Sequence, residues 1–591
     1  MIENIEEYYR NNYLDEEVPH AECRGTFASN AQGRRYGFFE FKDYFTSRQL
    51  IALTTFSDLV AEAQAKVEAD AAVAGLPDDH IPLSEGGTGA KAYGEAVGVY
   101  LDIAISRMSS YWSNITTYDN SREKLTSVFA RQAIPMAWDY IEANPFYKAS
   151  GGIYNSINIG MKALLQFPCV GQGESSQFDA QSDCGLRNIM ISTDPPYYDN
   201  IGYADLSDFF YVWLRRGLRA TYPKLFRTML VPKTEELVAT PYRFEGSKEK
   251  AKIFFEDGML HTCQQLYQYA RDDVPVTIYY AYKQSESDSK NDKSKTASTG
   301  WETMLSAIIQ AGFAITGTWP VRTEMAGRTL ARAGTNALAS SIVLVCRKRS
   351  EDAGICTRRS FINELKRELR PALQKLQASN IAPVDLAQSA IGPGMAVFSK
   401  YAQVLEADGE PMTVRSALQI INQELDIYFN EQDGELDRDS RFCVELYTQY
   451  AFNDLKFGEA DVLARAKNTS VSALAVKDVL YAEKGLVHLY SRDELPEKVD
   501  ENEGIIWLLT QQLTRAMEMG GVHACAELVA PIMGANAEYA KALAYRLYTI
   551  AERKGWAQEA HAYNALVVAW PDIQSRAAML QQFKPEQQTM F

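Results

Sequence analysis

Asp194, Pro195, Pro196 and Tyr197 are consecutive residues whose types and order could do chemistry. An amino group on an aromatic ring is a poor nucleophile, because its lone pair is delocalised into the ring. Hydrogen bonds from such an amine to the Asp194 carboxylate and the Pro195 carbonyl would orient it and favour a more tetrahedral nitrogen. The two prolines restrict the backbone between these acceptors. We therefore predict that this segment binds the exocyclic amine of a nucleobase.

Tyr197 is expected to stack on the ring that carries the amine, a contact worth about 1 to 3 kcal/mol per base. A base inside a duplex cannot reach such a pocket, so a duplex substrate implies that the base is flipped out. The alternative interpretation is a Pro-Pro turn that ends a strand and has only a structural role.

The residues around this segment predict an α/β sheet. Residues 187–193 form a short apolar run that ends in Asp194 and the two prolines, which is typical of a buried strand leading into a rigid turn. Further strands are expected at residues 274–283, 314–322 and 340–347, the last two as an antiparallel pair. Helices are expected at residues 206–218, 248–271 and 301–311. Such an alternation favours a sheet with helices between its strands.

The flanking regions show a helical period instead. Residues 1–150 are predicted to be mainly helical, and residues 151–350 are predicted to form the part that contains the motif. Residues 351–591 are predicted to be a helical C-terminal region without a repeat of fixed period. In the first region, helices are expected at residues 47–74, 91–112 and 123–141.

The composition limits the class of protein. The chain has 591 residues, 46% of them hydrophobic, which is typical of a folded globular protein with several domains. Its 60 Lys and Arg residues against 76 Asp and Glu residues give a net charge of −16, so contacts with phosphates must be local.

The eight cysteines are scattered without a CxxC pair, and neither disulfides nor a metal site is predicted. An acidic N-terminus and the lack of a long apolar run predict a cytoplasmic protein without a membrane segment.

The motif at Asp194–Tyr197, placed after a strand, resembles the catalytic motif of amino-group methyltransferases that use S-adenosylmethionine, most often the N6-adenine DNA enzymes. Three longer runs, residues 194–216, 334–346 and 457–470, resemble one family. That family comprises large bacterial and archaeal adenine-specific methylases with an N-terminal domain of unknown function and a zinc-ribbon insertion, often found near phage-defence genes.

The resemblance implies an α/β fold with a partial Rossmann-like methyltransferase sheet, in which the later strands are present. Members of the family carry an Asp-Pro-Phe-Ala-Gly-Gly-Gly type loop that holds the cofactor, and this sequence has no such loop. The nearest glycine cluster, Glu85–Gly89, follows no buried strand and is expected to be an exposed loop. The chain is therefore expected to be the catalytic-motif half. DNA, S-adenosylmethionine and a partner chain or missing N-terminal half with the cofactor loop are the implied partners.

Basic residues near the motif are candidates for DNA contacts. Residues 205–233 carry a net charge of +4, and Arg215 and Arg216 lie there. Arg328 and Arg332 lie in the loop between the last two strands, which is expected near the edge where substrate enters. Residues 347–376 carry a net charge of +5 but are interpreted as an ordinary solvated face.

Three functions therefore compete. The leading one is transfer of a methyl group to N6 of adenine in DNA. A second is a non-catalytic DNA-binding or assembly subunit in a defence-type system. A third keeps the chemistry but acts on RNA or on N4 of cytosine.

Overall fold

The computed structural model describes residues 18–23, 33–129, 134, 137–167, 170–171, 173–198, 202–280, 299–322, 340–432, 436–495, 504–532 and 534–582. The chain divides into two compact units. The first unit contains residues 1–184 and 198–258, and the second contains residues 185–197 and 259–591. The protein is mixed α/β.

The first unit is mainly helical and has one β-hairpin. Its elements are α1 (Ser47–Val73), α2 (Ala90–Ser109), β1 (Thr117–Asp119), β2 (Lys124–Thr126), α3 (Ile153–Leu164), α4 (Tyr203–Leu218) and the beginning of α5 (Lys248–Tyr269).

The second unit begins with a mixed sheet and continues into a helical region. The sheet and its helix are β3 (Ser192–Thr193), β4 (Val276–Tyr280), α6 (Thr299–Gln310), β5 (Phe313–Arg322) and β6 (Ser340–Lys348). The helical region contains β7 (Ile355–Thr357), α7 (Arg358–Ala378), α8 (Pro383–Ser399), β8 (Gln403–Leu405), α9 (Val414–Gln432), α10 (Arg438–Tyr450), β9 (Leu455–Lys456), α11 (Phe457–Ala466), α12 (Val471–Val476), β10 (Leu480–Glu483), β11 (Leu486–Leu489), α13 (Ile506–Val529), α14 (Ala535–Lys554), α15 (Ala557–Val568) and α16 (Trp570–Gln582).

The predicted helices at residues 47–74 and 91–112 are confirmed as α1 and α2. Thr46 caps α1 with a capping box: its hydroxyl accepts a hydrogen bond from the Gln49 amide (3.3 Å), and the Gln49 side chain accepts one from the Thr46 amide (2.8 Å). These two bonds satisfy backbone donors that would otherwise lack partners at the helix start.

The predicted helix at residues 123–141 is wrong where the structure describes it, because β1 and β2 form a hairpin there. The Asp119 side chain accepts bonds from the amide and hydroxyl of Ser121, and Glu123 adopts a positive φ of 49°. The hydroxyls of Thr117 and Thr126 then pair across the strands at 2.6 Å. A local turn and a cross-strand pair override the helical period here. Residues 130–133 and 135–136 lie outside the described residues.

The core of the first unit is built around the aromatic side chains of α4. Phe209 is fully buried, and its ring centroid lies 5.9 Å from Tyr44 and 5.7 Å from Phe45. Trp213, one turn later, meets Phe45 edge-on at 5.3 Å. These α4 aromatic residues therefore belong to the core, where such pairs add to the energy of apolar burial.

The sheet of the second unit has the strand order β3-β4-β6-β5. β3 and β4 are parallel, and β6 runs antiparallel to both β4 and β5, which confirms the predicted antiparallel pair. Every second residue of β4 is buried, and so are the residues paired with them in β6. These are Val276, Ile278 and Tyr280 in β4 and Cys346, Leu344 and Ile342 in β6.

β3 is shorter than predicted. Only Ser192 and Thr193 form a strand, preceded by an isolated parallel bridge from Ile189 to Ala270. Asn188 has a φ of 56°, which breaks the extended conformation at the start of the run. The prediction of a helical region after residue 350 is confirmed in its main elements, but the five short strands β7 to β11 were not predicted.

Among the described residues, no helix combines the length and the apolar character that crossing a bilayer requires.

A buried carboxylate lies between α2 and α4. A Cβ atom at Gly217 of α4 would collide with the Asp102 carboxylate of α2, so glycine permits this close approach. Desolvation raises the pKa of Asp102 to about 7. The folded state therefore binds a proton that the unfolded state, with a pKa of about 4, releases in this pH range.

We expect Asp102→Asn to make the stability of the chain less sensitive to pH. Since the folded pKa is raised, the wild-type free energy of unfolding falls as the pH rises from about 4 to about 7, by up to about 4 kcal/mol. The variant should match the wild type near pH 4 and unfold at a higher temperature near pH 8. Thermal unfolding of the full chain at both pH values checks this, and equal shifts at the two would contradict it.

Candidate functional site

Asp194 lies directly after β3, at the carboxyl end of a parallel strand pair. Ser192 pairs with Thr277 and Thr193 with Ile278, while the Thr277 amide donates to the Ile191 carbonyl at 3.0 Å. In open α/β sheets, ligands bind outside the carboxyl ends of the parallel strands. The pairing therefore positions Asp194 at the edge where a ligand is expected.

The Asp194 side chain is exposed, and the Tyr197 hydroxyl donates a hydrogen bond to its Oδ1 atom at 3.2 Å. No other described residue forms a hydrogen bond with this carboxylate. Within the same described ranges, the Pro195 carbonyl accepts no hydrogen bond either. The second oxygen of Asp194 and the Pro195 carbonyl thus have capacity to accept the two hydrogens of an amine.

Tyr197 is held by a row of aromatic side chains that leads into the core of the second unit. Its ring lies edge-on to Tyr280 at 4.9 Å and 73°, and Tyr280 lies 5.4 Å from Trp301. Tyr280 and Trp301 are buried, whereas Tyr197 is only half-buried. The last residue of β4 and a residue of α6 therefore fix the orientation of a partly accessible ring.

The motif continues into residues that are anchored within the first unit. The Tyr198 carbonyl accepts a hydrogen bond from the Ala239 amide at 2.9 Å, and its ring lies edge-on to Phe255 at 5.3 Å. Asp194, Pro195, Pro196 and Tyr197 thus form one partly exposed segment directly after β3.

Arg215 and Arg216 make contacts within the first unit. Arg215 donates from Nε to the Thr228 carbonyl at 2.8 Å, and Arg216 forms an ion pair with Asp58 at 2.6 Å. Three other cations of this basic segment, Arg219, Lys224 and Arg227, are exposed and have no ion pair among the described residues. The net charge of this segment could not distinguish the two arginines that make contacts within the unit from the three exposed cations. Arg328 and Arg332 lie outside the described residues.

The acids that follow the motif are buried in ion pairs. Asp208 is fully buried and pairs with Lys233 at 2.8 Å. Desolvation raises the pKa of Asp208, and Lys233 offsets part of that effect. Arg243 pairs with Asp205 at 3.1 Å and with Glu236 at 2.5 Å. These pairs hold the chain after residue 230 against α4, a structural role that the sequence did not indicate.

The glycine cluster at Glu85–Gly89 is largely exposed, as expected, and its amides are used inside the loop. The Gly86 amide donates to the Leu83 carbonyl at 3.0 Å, and the Gly87 amide donates to the Pro82 carbonyl at 3.1 Å. This loop does not fit a cofactor cradle, because it follows no strand of the described residues and the amides of Glu85, Gly86 and Gly87 already have partners. In the described part of the chain, no three His, Cys, Asp or Glu side chains are grouped so as to hold a metal ion.

We expect the two acids at positions 194 and 208 to differ strongly in their effect on stability. Asp194→Asn changes an exposed side chain and should alter the free energy of unfolding by less than about 0.5 kcal/mol. Asp208→Asn breaks a buried pair and should lower it by about 3 to 5 kcal/mol, because Lys233 then remains buried without its partner. Urea unfolding of the two variants provides the comparison. Equal losses for both would show that Asp194 is part of the core.

Comparison with known proteins adds one match. A family model described as a domain of unknown function, DUF8807, matches residues 437–590, within the helical region of the second unit. No curated protein matches the chain, and no solved structure does.

Proposed function

We propose that the chain supplies the amine-binding part of an S-adenosylmethionine-dependent DNA methyltransferase that modifies N6 of adenine. The observation that carries the proposal is the exposed Asp194 carboxylate at the end of β3, with Tyr197 held beside it at 3.2 Å. The cofactor loop is assigned to a partner polypeptide or to a further N-terminal part, because Glu85–Gly89 does not fit that role. The setting suggested by the family resemblance is a cytoplasmic modification or phage-defence system.

The open edge of the sheet supports the assignment of the cofactor loop to a separate segment. We interpret β3, β4, β5 and β6 as the later part of a Rossmann-like methyltransferase sheet. Beyond β3, the backbone groups of Met190 and Ser192 form no hydrogen bonds with any described residue, and the Met190 side chain is 73% exposed. An open edge of this kind can accept one more strand. A strand that carried the cofactor loop and paired there in parallel would end beside Asp194.

The chain's own residues would orient the amine. The N6 hydrogens would be accepted by the Asp194 carboxylate and the Pro195 carbonyl, which favours a more tetrahedral nitrogen whose lone pair is localised on that atom and can attack the methyl group. Tyr197 would stack on the flipped base. S-adenosylmethionine, when bound, supplies the electrophilic methyl group.

We expect methyl transfer to DNA to depend on Asp194 and on the ring of Tyr197. Asp194→Ala should lower the rate roughly 100-fold or more, since it removes the acceptor that orients the amine. Tyr197→Ala should lower it roughly 5- to 150-fold, the equivalent of one stacking contact. Tyr197→Phe keeps the ring and should retain most of the activity. The measurement is transfer of a labelled methyl group to DNA, with and without the polypeptide encoded immediately upstream.

Tyr279→Ala is the matched control for these variants. Like Tyr197, Tyr279 is partly exposed, but it lies on β4 next to the buried Tyr280 and outside the motif. Its replacement should leave the rate unchanged. If the pair of chains transfers no methyl group, or if Asp194→Ala remains fully active, the proposal is wrong. DNA binding without any methyl transfer would favour the alternative of a non-catalytic DNA-binding or assembly subunit.

The exposed cations Arg219, Lys224 and Arg227 are the best candidates for phosphate contacts. No acid occurs between residues 209 and 234. Phe226 anchors this segment by packing on Tyr211 at 5.4 Å, so the cations project from an ordered loop.

The other basic stretch, residues 347–376, is largely neutralised, which supports its interpretation as a solvated face. Its ion pairs are Lys348–Asp272, Arg358–Glu406, Lys366–Glu424, Arg367–Glu364 and Arg370–Glu431.

We expect the triple variant Arg219→Gln, Lys224→Gln and Arg227→Gln to bind DNA more weakly than the wild type. Its affinity should also depend less steeply on the salt concentration. If each cation meets one phosphate, the slope of log K against log salt should become less steep by about 2.7, or 0.9 for each contact. Titration of a labelled duplex at several salt concentrations measures the slope. Neutralising Lys66, Lys375 and Lys554, which are equally exposed, is the control, and an equal effect there would contradict the assignment.

A further inference from the structure

Residues 438–489 of the second unit form a small helical part with a three-stranded antiparallel sheet. The elements follow one another as α10, β9, α11, α12, β10 and β11, and the sheet order is β10-β11-β9. This part lies inside the segment that matches the domain of unknown function.

α11 and α12 are joined by a tight turn of four residues, Lys467 to Ser470. The Thr469 amide donates to the Ala464 carbonyl at 3.0 Å, and Asn468 takes the left-handed conformation with a φ of 57°. The Ser470 hydroxyl then caps α12 by accepting from the Ala473 amide at 3.1 Å. Two helices joined by a turn of three or four residues are the helix-turn-helix arrangement.

The packing decides which face of α12 remains available. Val471 and Leu474 are fully buried, and so are the small residues Ala460 and Ala464 of α11, which let the two helices approach closely. The opposite face of α12 is exposed and carries Ser472, Ala473 and Val476. Val476 is 86% exposed.

A buried carboxylate of α10 holds both ends of α12. Asp439 accepts a hydrogen bond from the Thr469 hydroxyl at 2.5 Å and forms an ion pair with Lys477 at 3.4 Å. Thr469 lies just before α12 and Lys477 just after it. The exposed face is therefore presented on a helix that is fixed at its two ends.

The hairpin of β10 and β11 lies next to this helix pair. Lys484 and Gly485 form its two-residue turn, both with positive φ, as a type I′ turn requires. The Gly485 carbonyl accepts from the Phe457 amide at 2.9 Å, which ties the tip of the hairpin to the start of α11. Lys456 and Lys484 are exposed and have no ion pair with any residue that the structure describes.

We propose that residues 438–489 are a winged helix-turn-helix that reads the sequence of duplex DNA. α12 would enter the major groove as the recognition helix, where the Ser472 hydroxyl can bond to base edges and the Ala473 and Val476 methyl groups can contact thymine methyl groups. Lys456 and Lys484, which both lie where the tip of the hairpin meets the start of α11, would contact phosphates beside the groove. This assigns a role to part of the domain of unknown function, and it does not depend on methyl transfer.

The character of the exposed face favours DNA over a protein partner. Protein interfaces are enriched in aromatic residues, Met and Arg. α12 exposes only Ser, Ala and Val side chains, which allow a close approach to base edges. The exposed Lys456 and Lys484 lie together at the tip of the adjoining hairpin.

The test is selection from a pool of duplexes with a randomised central segment, using the full chain. The wild type should enrich a defined sequence. Val476→Asp places a carboxylate against the base edges and should reduce the preference for the enriched sequence at least 10-fold. Val73→Asp changes an equally exposed valine of α1 and should leave the preference intact. Because Val476 is exposed, circular dichroism of the variant should match the wild type.

The lysines provide a second readout. The double variant Lys456→Gln and Lys484→Gln should weaken binding to selected and random duplexes alike. It should also reduce the slope of log K against log salt by about 1.8.

The inference is overturned if the wild type enriches no sequence, or if the enrichment survives Val476→Asp. If the chain selects a sequence but never supports methyl transfer, this inference stands and the proposed function is wrong. If the chain supports methyl transfer but Val476→Asp does not change its sequence preference, the proposed function stands and this inference is wrong.

Discussion

The parallel pairing of β3 with β4 is the interaction on which the candidate site depends. It involves only Ser192 and Thr193 on one strand and Thr277 and Ile278 on the other, yet it determines where the Asp194 carboxylate emerges. The same strand β4 ends in Tyr280, whose ring positions Tyr197. The positions of the proposed amine acceptor and of the proposed stacking ring are thus both set by the register of one strand pair. A shift of that register by one residue would turn every side chain of the short strand to the other face.

Electrostatics organises the rest of the molecule by pairing many cations with carboxylates. The chain carries a net charge of −16, and many of its basic side chains meet a carboxylate within their own unit. The cations that remain exposed and unpaired within the described ranges include Arg219, Lys224 and Arg227 in one unit and Lys456 and Lys484 in the other. In so acidic a protein, exposed cations that are both unpaired and grouped together, rather than the total charge, indicate where phosphates could be met.

The sequence was informative where local patterns decide the structure. The helical period located α1, α2 and α4, and the apolar runs before and after the motif located β4, β5 and β6. The hairpin at residues 117–126 was missed because a turn and a cross-strand hydroxyl pair outweigh the period. The strands β9 to β11 have two to four residues each, too few for an alternation to be recognised.

The candidate site could be located from the sequence, but its geometry could not. The order of Asp194, the prolines and Tyr197 suggested an amine-binding segment, which stays a prediction, and the exposure of these residues depends on contacts distant in sequence. The partners of Arg215 and Arg216 could not be foreseen, because Thr228 and Asp58 reach them only through the fold. The exposed face of α12 could not be predicted either, since it is defined by the burial of Val471 and Leu474 on the opposite face.

The proposed binding of an adenine amine by Asp194 is tested most directly by the product of the reaction. Mass spectrometry of nucleosides from digested DNA, after reaction with the chain, S-adenosylmethionine and the polypeptide encoded upstream, identifies the modified base. The account predicts N6-methyladenine that disappears with Asp194→Ala. Methylated cytosine, methylation confined to RNA, or N6-methyladenine that persists in the variant would contradict it.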